Sequence, residues 1–497
     1  MEMHTAALFE TLEYEQIARL ILLGLFLLII VLVFFHDRYQ KENIILRNYP
    51  VIGHVRYLMI YLGVYLRHYF YAMDREELPF NRATRDWVHR ASDNIENVES
   101  FGSTRDIHPV GTILFVDSPY PALGKGAIVP KSITIGPYCR EPYVTRSIFN
   151  ISAMSYGSIS KEAVLALSNG ARMAGCWLNT GEGGISPFHL EGGADLVAQI
   201  GTAKYGFRDI EGRLDDTRLQ AAAKIPQVKM FEVKLSQGAK PGRGGMLPGI
   251  KVTPEIAEIR GIPPYKDSIS PNRHEDIGNN TELLNVIHHI RDVTGKPVGF
   301  KIVLGEYSWL DQLFEEILQR GIQYAPDFIT LDSKEGGTGA APMSLMDYVG
   351  LPITESLPVL VDKLMEYNLR DRVKVIASGK LVTPAEVTWA LCVGADFIQS
   401  ARGFMFSLGC IQALKCHTNR CPTGITSHDP RYTRGLIPAE KSVKVYHYAT
   451  NMVHEVGVIC HAIGIEDITQ LNRSHARIMT ESGVTELLSD FYSQKKL

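Results

Sequence analysis

The sequence predicts an α/β protein, a (β/α)8 TIM barrel with an N-terminal transmembrane helix and a C-terminal helical extension. Three observations predict it. From about residue 111, short β-branched runs alternate with helical patterns, which implies a parallel sheet with crossover helices. Nearly every run ends in Gly, Ser, Asn or Lys, at the strand end where a closed barrel carries its site. No Gly-x-Gly-x-x-Gly turn follows the first run, as a doubly wound dinucleotide-binding sheet would show.

The N-terminal element comes first. Leu20 to Phe35 is an unbroken apolar run of sixteen residues. A membrane span takes roughly 17–25 residues, so a helix over 17–35 is expected once Arg19 snorkels. The preceding stretch is acidic (Glu2, Glu10, Glu13, Glu15), and no small-x-small cleavage site follows, against a cleaved signal peptide. Arg38, Lys41, Arg47 and Arg56 come next. The positive-inside bias therefore predicts a single pass through the inner (cytoplasmic) membrane with the body in the cytoplasm. Residues 1–41 form this anchor.

Residues 42–110 read as an amphipathic helix and a connector. Val51, Val55, Leu58, Leu62, Tyr65 and Tyr69 recur at helical spacing. Arg56 and Arg67 leave ten apolar residues between them, too few to span. The helix is expected either on the membrane surface or packed on the main domain. Residues 74–110 are polar and irregular.

The barrel is placed at 111–430. Its strands are expected at Ser147–Ala153, Val228–Leu235, Val298–Val303, Phe328–Leu331, Val373–Ala377 and Phe397–Ser400, with another ending at Asn179. Helical patterns include Lys161–Ala174 and Pro384–Leu391. Residues 431–497 are expected to form a helical cap.

Composition sets limits. Apolar content of 45% and charged content of 21% are those of a folded protein. A net charge of −3 gives no electrostatic case for nucleic acid. Seven cysteines without a paired pattern suit a reducing compartment.

The strand ends carry the chemistry. Ala153, Met154 and Ser155 follow the first strand, and Asn179-Thr180-Gly181-Glu182-Gly183-Gly184 follows the second. Small residues there let a flat ring approach the backbone, and Asn and Ser can hydrogen-bond a flavin's polar edge. Lys234 and Lys240, flanking Gln237, suit an anionic substrate. Lys301 sits mid-strand between apolar neighbours and must have an anionic or hydrogen-bonding partner. A reduced flavin or an ion pair inside the barrel would supply it. Ser378-Gly379-Lys380 and Ala401-Arg402-Gly403 follow the last two strands, where backbone N–H groups and two cations can hold a phosphate.

Cys410, Cys416 and Cys421 fall within twelve residues, the last followed by Pro422. Soft thiolates in such a cluster select iron–sulfur or zinc. Three cysteines suit a cluster lacking one iron, or a zinc site completed by His417. Three buried cysteines that bind nothing are the third alternative.

Six stretches in order make the resemblance specific: Ser-Ala-Met-Ser, Asn-Thr-Gly-Glu-Gly-Gly, Gln-Gly-Ala-Lys-Pro-Gly, Gly-Gly-Thr-Gly-Ala, Ala-Ser-Gly and Cys-x5-Cys-x4-Cys-Pro. They cover about residues 110–430 and resemble the FMN-binding synthase domain of glutamate synthase. The resemblance implies an FMN barrel and a [3Fe-4S] cluster on Cys410, Cys416 and Cys421. It implies cofactor contacts from Ala153, Met154, Ser155, Asn179, Lys234, Lys301, Gly337, Thr338, Ser378, Gly379, Lys380, Ala401, Arg402 and Gly403. Lys240, Arg260 and Ser270 would bind a 2-oxo acid or amino acid. Lys301 and Glu182 would be the catalytic residues, Glu182 handling protons or orienting nitrogen.

The departures matter as well. A glutaminase domain and a C-terminal β-helix do not fit in this length, so ammonia is expected from outside the chain. The family's Lys-Pro-Gly loop continues to a glutamine, where this chain has Met246. No NADPH fingerprint is visible, so electrons are expected from a ferredoxin, a separate reductase or the membrane. Two other readings use the same scaffold. One is a membrane-linked dehydrogenase of an amino or hydroxy acid that passes electrons to quinone or a partner. The other is a non-catalytic anchored redox subunit.

Overall fold

The computed structural model describes residues 2–40, 43–124 and 130–494, which form two compact units, one up to Ala83 and one from Thr84 onward.

In the first unit a single helix runs from Glu2 to Tyr39. Its segment Gln16–Tyr39 is 24 residues long and apolar, and its most apolar stretch is not buried. At about 1.5 Å per residue it extends about 36 Å, enough for the roughly 30 Å core of a bilayer. Asp37 then turns the chain back on itself. Its Oδ2 accepts from the backbone N–H of Val51 at 2.9 Å and lies 2.9 Å from His54 Nε2. Lys41, part of the expected basic flank, lies outside the described residues.

Helix Gly53–Leu66 follows and passes into a π-helical turn, Arg67–Tyr71. The expected polar face is missing. Val55, Leu58 and Leu62 are exposed, but so are Met59, Ile60 and Tyr61 between them. The i, i+3/i+4 spacing is met, yet apart from Arg56 the intervening positions are apolar too, so the helix is apolar around most of its circumference.

The second unit holds a closed barrel of eight parallel strands. They are β1 Phe149–Ile151, β2 Leu178–Asn179, β3 Leu196–Ile200 and β4 Val228–Lys234. Then come β5 Val298–Val303, β6 Phe328–Asp332, β7 Lys374–Ser378 and β8 Phe397–Ser400. β8 closes onto β1 with Ile398 opposite Phe149. The sequence expectation placed six of these strands to within two residues and missed β3, whose Leu-Val-Ala-Gln-Ile is weakly β-branched.

Strand alternation fixes what faces inward. Trp177, Val197, Met230, Phe328, Ile376 and Phe397 form one buried cluster with Ile135 and Tyr143. The last two belong to the antiparallel hairpin Ile133–Ile135/Tyr143–Thr145, so the hairpin plugs one end of the barrel. Two residues further along each strand, Asn179, Gln199, Glu232, Thr330, Ser378 and Gln399 share the same inner face.

Helix Lys161–Ala174 is capped by Ser160, whose Oγ accepts from Ala163 N, and ends at Gly175 with φ +67°. A Cβ on Gly170 would stand 2.4 Å from Val445 Cγ1, so this glycine allows the close approach of helix Pro438–Ile463. The C-terminal segment is helical only in part. Strand Ala476–Met479 pairs antiparallel with both Ile113–Phe115 and Thr485–Leu487. The irregular stretch 74–110 also holds a helix, Arg82–Ser92, which buries Val88 and Ala91. One narrow buried face in a polar segment gives little periodic signal.

Candidate functional site

Above its apolar floor the barrel interior is polar. The Glu232 carboxylate is fully buried and accepts from Asn179 Nδ2 at 2.9 Å, Gln199 Nε2 at 2.6 Å and Thr330 Oγ1. A buried carboxylate requires such donors. Asn179 Oδ1 accepts in turn from Gly181 N at 3.0 Å, which fixes the loop after β2.

Lys301 on β5 stands between Lys234 of β4 and Thr330 of β6. Its Nζ lies 3.2 Å from Asp332 Oδ2. Burial alone would lower the pKa of this ammonium, but Asp332 and Glu232 outweigh burial and hold it above the usual range. Burial would raise Asp332, yet Lys301 and the N–H groups of Gly238 and Ser333 hold it low. Of the two partners open to Lys301, the internal ion pair is therefore present. On β8, two strands from Asp332, both amide atoms of buried Gln399 lack a partner among the described residues.

A second cluster surrounds Glu182. Its Oε2 is 3.0 Å from Lys234 Nζ, and Lys234 also donates to Gln237. A Cβ on Gly245 would stand 2.3 Å from Glu182 Oε1, and one on Gly201 would stand 2.6 Å from Glu182 Cβ. The carboxylate is thus gripped between two glycines. Ser270 backs this loop by donating its N–H to Gly245 O at 2.9 Å. Burial would raise the Glu182 pKa, but Lys234, Lys240 and Arg260 together hold it below the usual range.

Positive charge is in excess here. Lys240 is buried, and desolvation with Lys234 nearby brings it down to about 8. Among the described residues, buried Arg260 makes long hydrogen bonds to neutral oxygens, Ser268 Oγ and Ser155 Oγ at 3.4 Å and Tyr156 O at 3.3 Å, and lies over the Tyr205 ring. Its Nε has no partner among the described residues. Met246 does not join the cluster. It is 41% exposed, while its strand neighbour Leu247 is buried and the preceding Gly245 faces Glu182.

The loops after β6, β7 and β8 lie together. A Cβ on Gly337 would stand 3.0 Å from Arg402 Nε, and Arg402 donates to Glu335 O. Gly379 has φ +120°, and a Cβ there would stand 2.1 Å from Ser333 Oγ. Lys380 continues the turn with φ +59°. A Cβ on Gly403 would meet the Tyr448 hydroxyl at 2.1 Å. Thr338 donates its hydroxyl within its own loop, to Ala340 O at 3.1 Å. After β1, Met154 N reaches Asn179 O at 3.5 Å, so Ala153, Met154 and Ser155 lie against the end of β2. Ala401 precedes the short helix Arg402–Ser407.

Cys410, Cys416 and Cys421 follow on one loop, close enough for Cys410 to feel both other thiols and Cys416 to feel Cys421. Burial, with the other two thiols adding, pushes Cys410 up to about 12. Burial also opposes ionisation of Cys421, but hydrogen bonds from Thr423 and Thr426 outweigh it and lower its pKa. Among the described residues no three His, Cys, Asp or Glu side chains converge as one metal ion requires. Lys251 reaches this loop from the barrel, donating to Ser158 O at 2.7 Å and Cys416 O at 3.4 Å.

Glu232, Asp332, Gln399 and Lys251 escaped the sequence reading. For Glu232 a signal existed, since residues 232 and 234 of one strand must share a face.

The conserved region in glutamate synthase matches residues 131–466. Glutamate synthase large subunit-like protein YerD of Bacillus subtilis is 38% identical over 93% of this chain and 95% of its own length. An archaeal-type glutamate synthase [NADPH] of a Thermotoga species is 33% identical over 67% of this chain and 62% of its own. An archaeal glutamate synthase [NADPH] of Methanocaldococcus jannaschii is 32% identical over 66% and 61%. The chain spans about three fifths of these last two relatives.

Proposed function

This chain belongs to the glutamate synthase family, and we propose that it performs the synthase half-reaction, reductive amination of 2-oxoglutarate through 2-iminoglutarate to glutamate, with ammonia from outside the chain. The observation that carries this reading is the buried group of cations, Lys234, Lys240 and Arg260, around the carboxylate of Glu182. A small dianion supplies the missing charge.

FMN is the cofactor that fits. The unpartnered Gln399 amide and the ammonium of Lys301 suit the polar edge of its ring. The glycine turns at Ser378–Lys380 and Ala401–Gly403, with Lys380 and Arg402, suit its phosphate. When bound, FMN supplies the two-electron reduction. Arg260 and Lys240 hold the substrate carboxylates and fix its reacting carbon toward the mouth. Glu182 is already buried beside them. Its proton affinity rises when substrate carboxylates share its cations, which suits it to take and return a proton at nitrogen.

The three cysteines fit a [3Fe-4S] cluster, in which each thiolate binds a different iron and need not converge on one point. Electrons reach the protein from a ferredoxin or a separate reductase. Residues 16–39 anchor it as a single pass in the inner membrane with the body in the cytoplasm. That exposed apolar helix also favours a second reading, a membrane-linked dehydrogenase that passes electrons to quinone.

Anaerobically reduced full-length protein separates the two. Rapid flavin reoxidation by 2-oxoglutarate plus ammonium supports the synthase, and reoxidation by a quinone analogue alone supports the dehydrogenase. Cys416→Ser is expected to abolish the electron paramagnetic resonance signal of the cluster. Stoichiometric zinc without iron overturns the cluster assignment.

A further inference from the structure

We propose that Lys251 is the fixed counter-cation of the three-cysteine cluster and raises its reduction potential. The inference rests on the reading of Cys410, Cys416 and Cys421 as ligands of a three-iron cluster.

Lys251 ends the short turn Gly249–Lys251, which joins the loop carrying Lys240 to the helix carrying Arg260. Its side chain is among the largest fully buried ones in the molecule. Its Nζ meets two backbone carbonyls, Ser158 O at 2.7 Å and Cys416 O at 3.4 Å. It pairs with no carboxylate among the described residues. Two carbonyl dipoles do not neutralise a buried ammonium, and such a charge persists where an anion answers it. Burial disfavours its charged form, and Cys416 and Cys421 are the neighbours that favour it; as cluster ligands both would be thiolates.

A three-iron, four-sulfide core held by three thiolates carries net negative charge, and reduction adds one more. A cation fixed beside it stabilises the reduced state more than the oxidised state. Net charge around an iron–sulfur cluster is one of the factors that set its potential. Position gives the residue further weight. Ser158 Oγ lies 2.8 Å from Ser155 Oγ, and Arg260 Nη2 donates to Ser155 Oγ at 3.4 Å. Lys251 thus stands between the proposed carboxylate-binding guanidinium and the cluster loop. A merely mechanical brace would tie the same two loops together, and it would leave the potential unmoved.

The test is a potentiometric titration of the full-length holoprotein, followed by electron paramagnetic resonance, for the wild type and Lys251→Met, Lys251→Gln and Lys251→Arg. Flavin content checks that each variant is folded. The neutral variants are expected to keep iron and to shift the cluster to lower potential. The expected shift is at least tenfold in the reduced-to-oxidised ratio at fixed potential, or about 59 mV for one electron. Lys251→Arg is expected to stay near the wild type. A neutral variant with an intact cluster and an unchanged potential overturns the proposal and leaves the cluster reading standing. Wild-type protein without iron overturns both. If both neutral variants lose the cluster, recovery of cluster and potential by Lys251→Arg supports the proposal, and failure to recover them refutes it.

Discussion

The ammonium of Lys301 stands 3.2 Å from the carboxylate of Asp332 inside the barrel, and Asp332 in turn accepts the backbone N–H of Gly238 at 2.9 Å. One ion pair therefore joins the proposed flavin site on β5 to the loop that leads to Lys240. Removing either member disturbs both.

Lys301→Met leaves Asp332 buried without its cation. Losing one partner of a buried pair costs about 3–5 kcal/mol. A clear fall in melting temperature by circular dichroism is expected, with the double variant Lys301→Met/Asp332→Asn recovering most of it. The flavin potential of the single variant should also fall, because a charge that favours the anionic reduced ring is gone. Unchanged stability and potential would show that the pair is incidental.

Arg260→Met is expected to weaken 2-oxoglutarate binding on the order of a hundredfold, the scale of an uncompensated buried charge. Met246→Gln should change it little. The Met246 side chain is turned outward, and the position facing Glu182 is Gly245. Titration calorimetry on both variants checks this pair of outcomes. A large gain from Met246→Gln would mean that the loop closes differently around substrate.

Lys240 gives the site a pH dependence. Its pKa is brought down to about 8 by burial and by Lys234. The free site therefore loses this charge as pH rises through 8, and affinity for a dianion falls between about pH 7 and 9. A bound carboxylate raises the pKa, so binding near pH 8 takes up protons. Lys240→Arg should flatten the profile, because a guanidinium stays charged. Affinity measured across this range in two buffers of different ionisation enthalpy reads both effects.

Truncation separates the two apolar helices. Full-length protein should sediment with membranes. Removal of residues 1–41 should leave it membrane-associated or aggregated, since Val55, Leu58, Ile60 and Tyr61 remain exposed. Removal of residues 1–83, the whole first unit, should release soluble protein that keeps its flavin. Full-length protein found only in the soluble fraction would contradict the anchor.

Much of this was legible in the sequence for physical reasons. Val298–Val303 and Phe397–Ser400 are β-branched or aromatic runs bounded by turn residues, and both strands match to the residue. Glycine loops at strand ends marked the mouth, because only glycine allows contacts such as that between Gly245 and Glu182. Apart from Glu232, the missed features carry little periodic signal. Asp332 and Gln399 stand in short strands, Phe328–Asp332 and Phe397–Ser400, too brief for an alternation to stand out, and Lys251 lies in an irregular loop. Their partners are distant in sequence. The helix after Gly53 misled for a different reason, since helical spacing of Val55, Leu58 and Leu62 says nothing about what lies between them.

Transfer of nitrogen is the most direct readout of the proposed reaction. Reduced full-length protein would be mixed anaerobically with 2-oxoglutarate and [15N]ammonium, and the products analysed by mass spectrometry. One [15N]glutamate per flavin oxidised is expected, with the yield lost in Arg260→Met. Flavin that stays reduced, or oxidises without forming labelled glutamate, would contradict the synthase assignment.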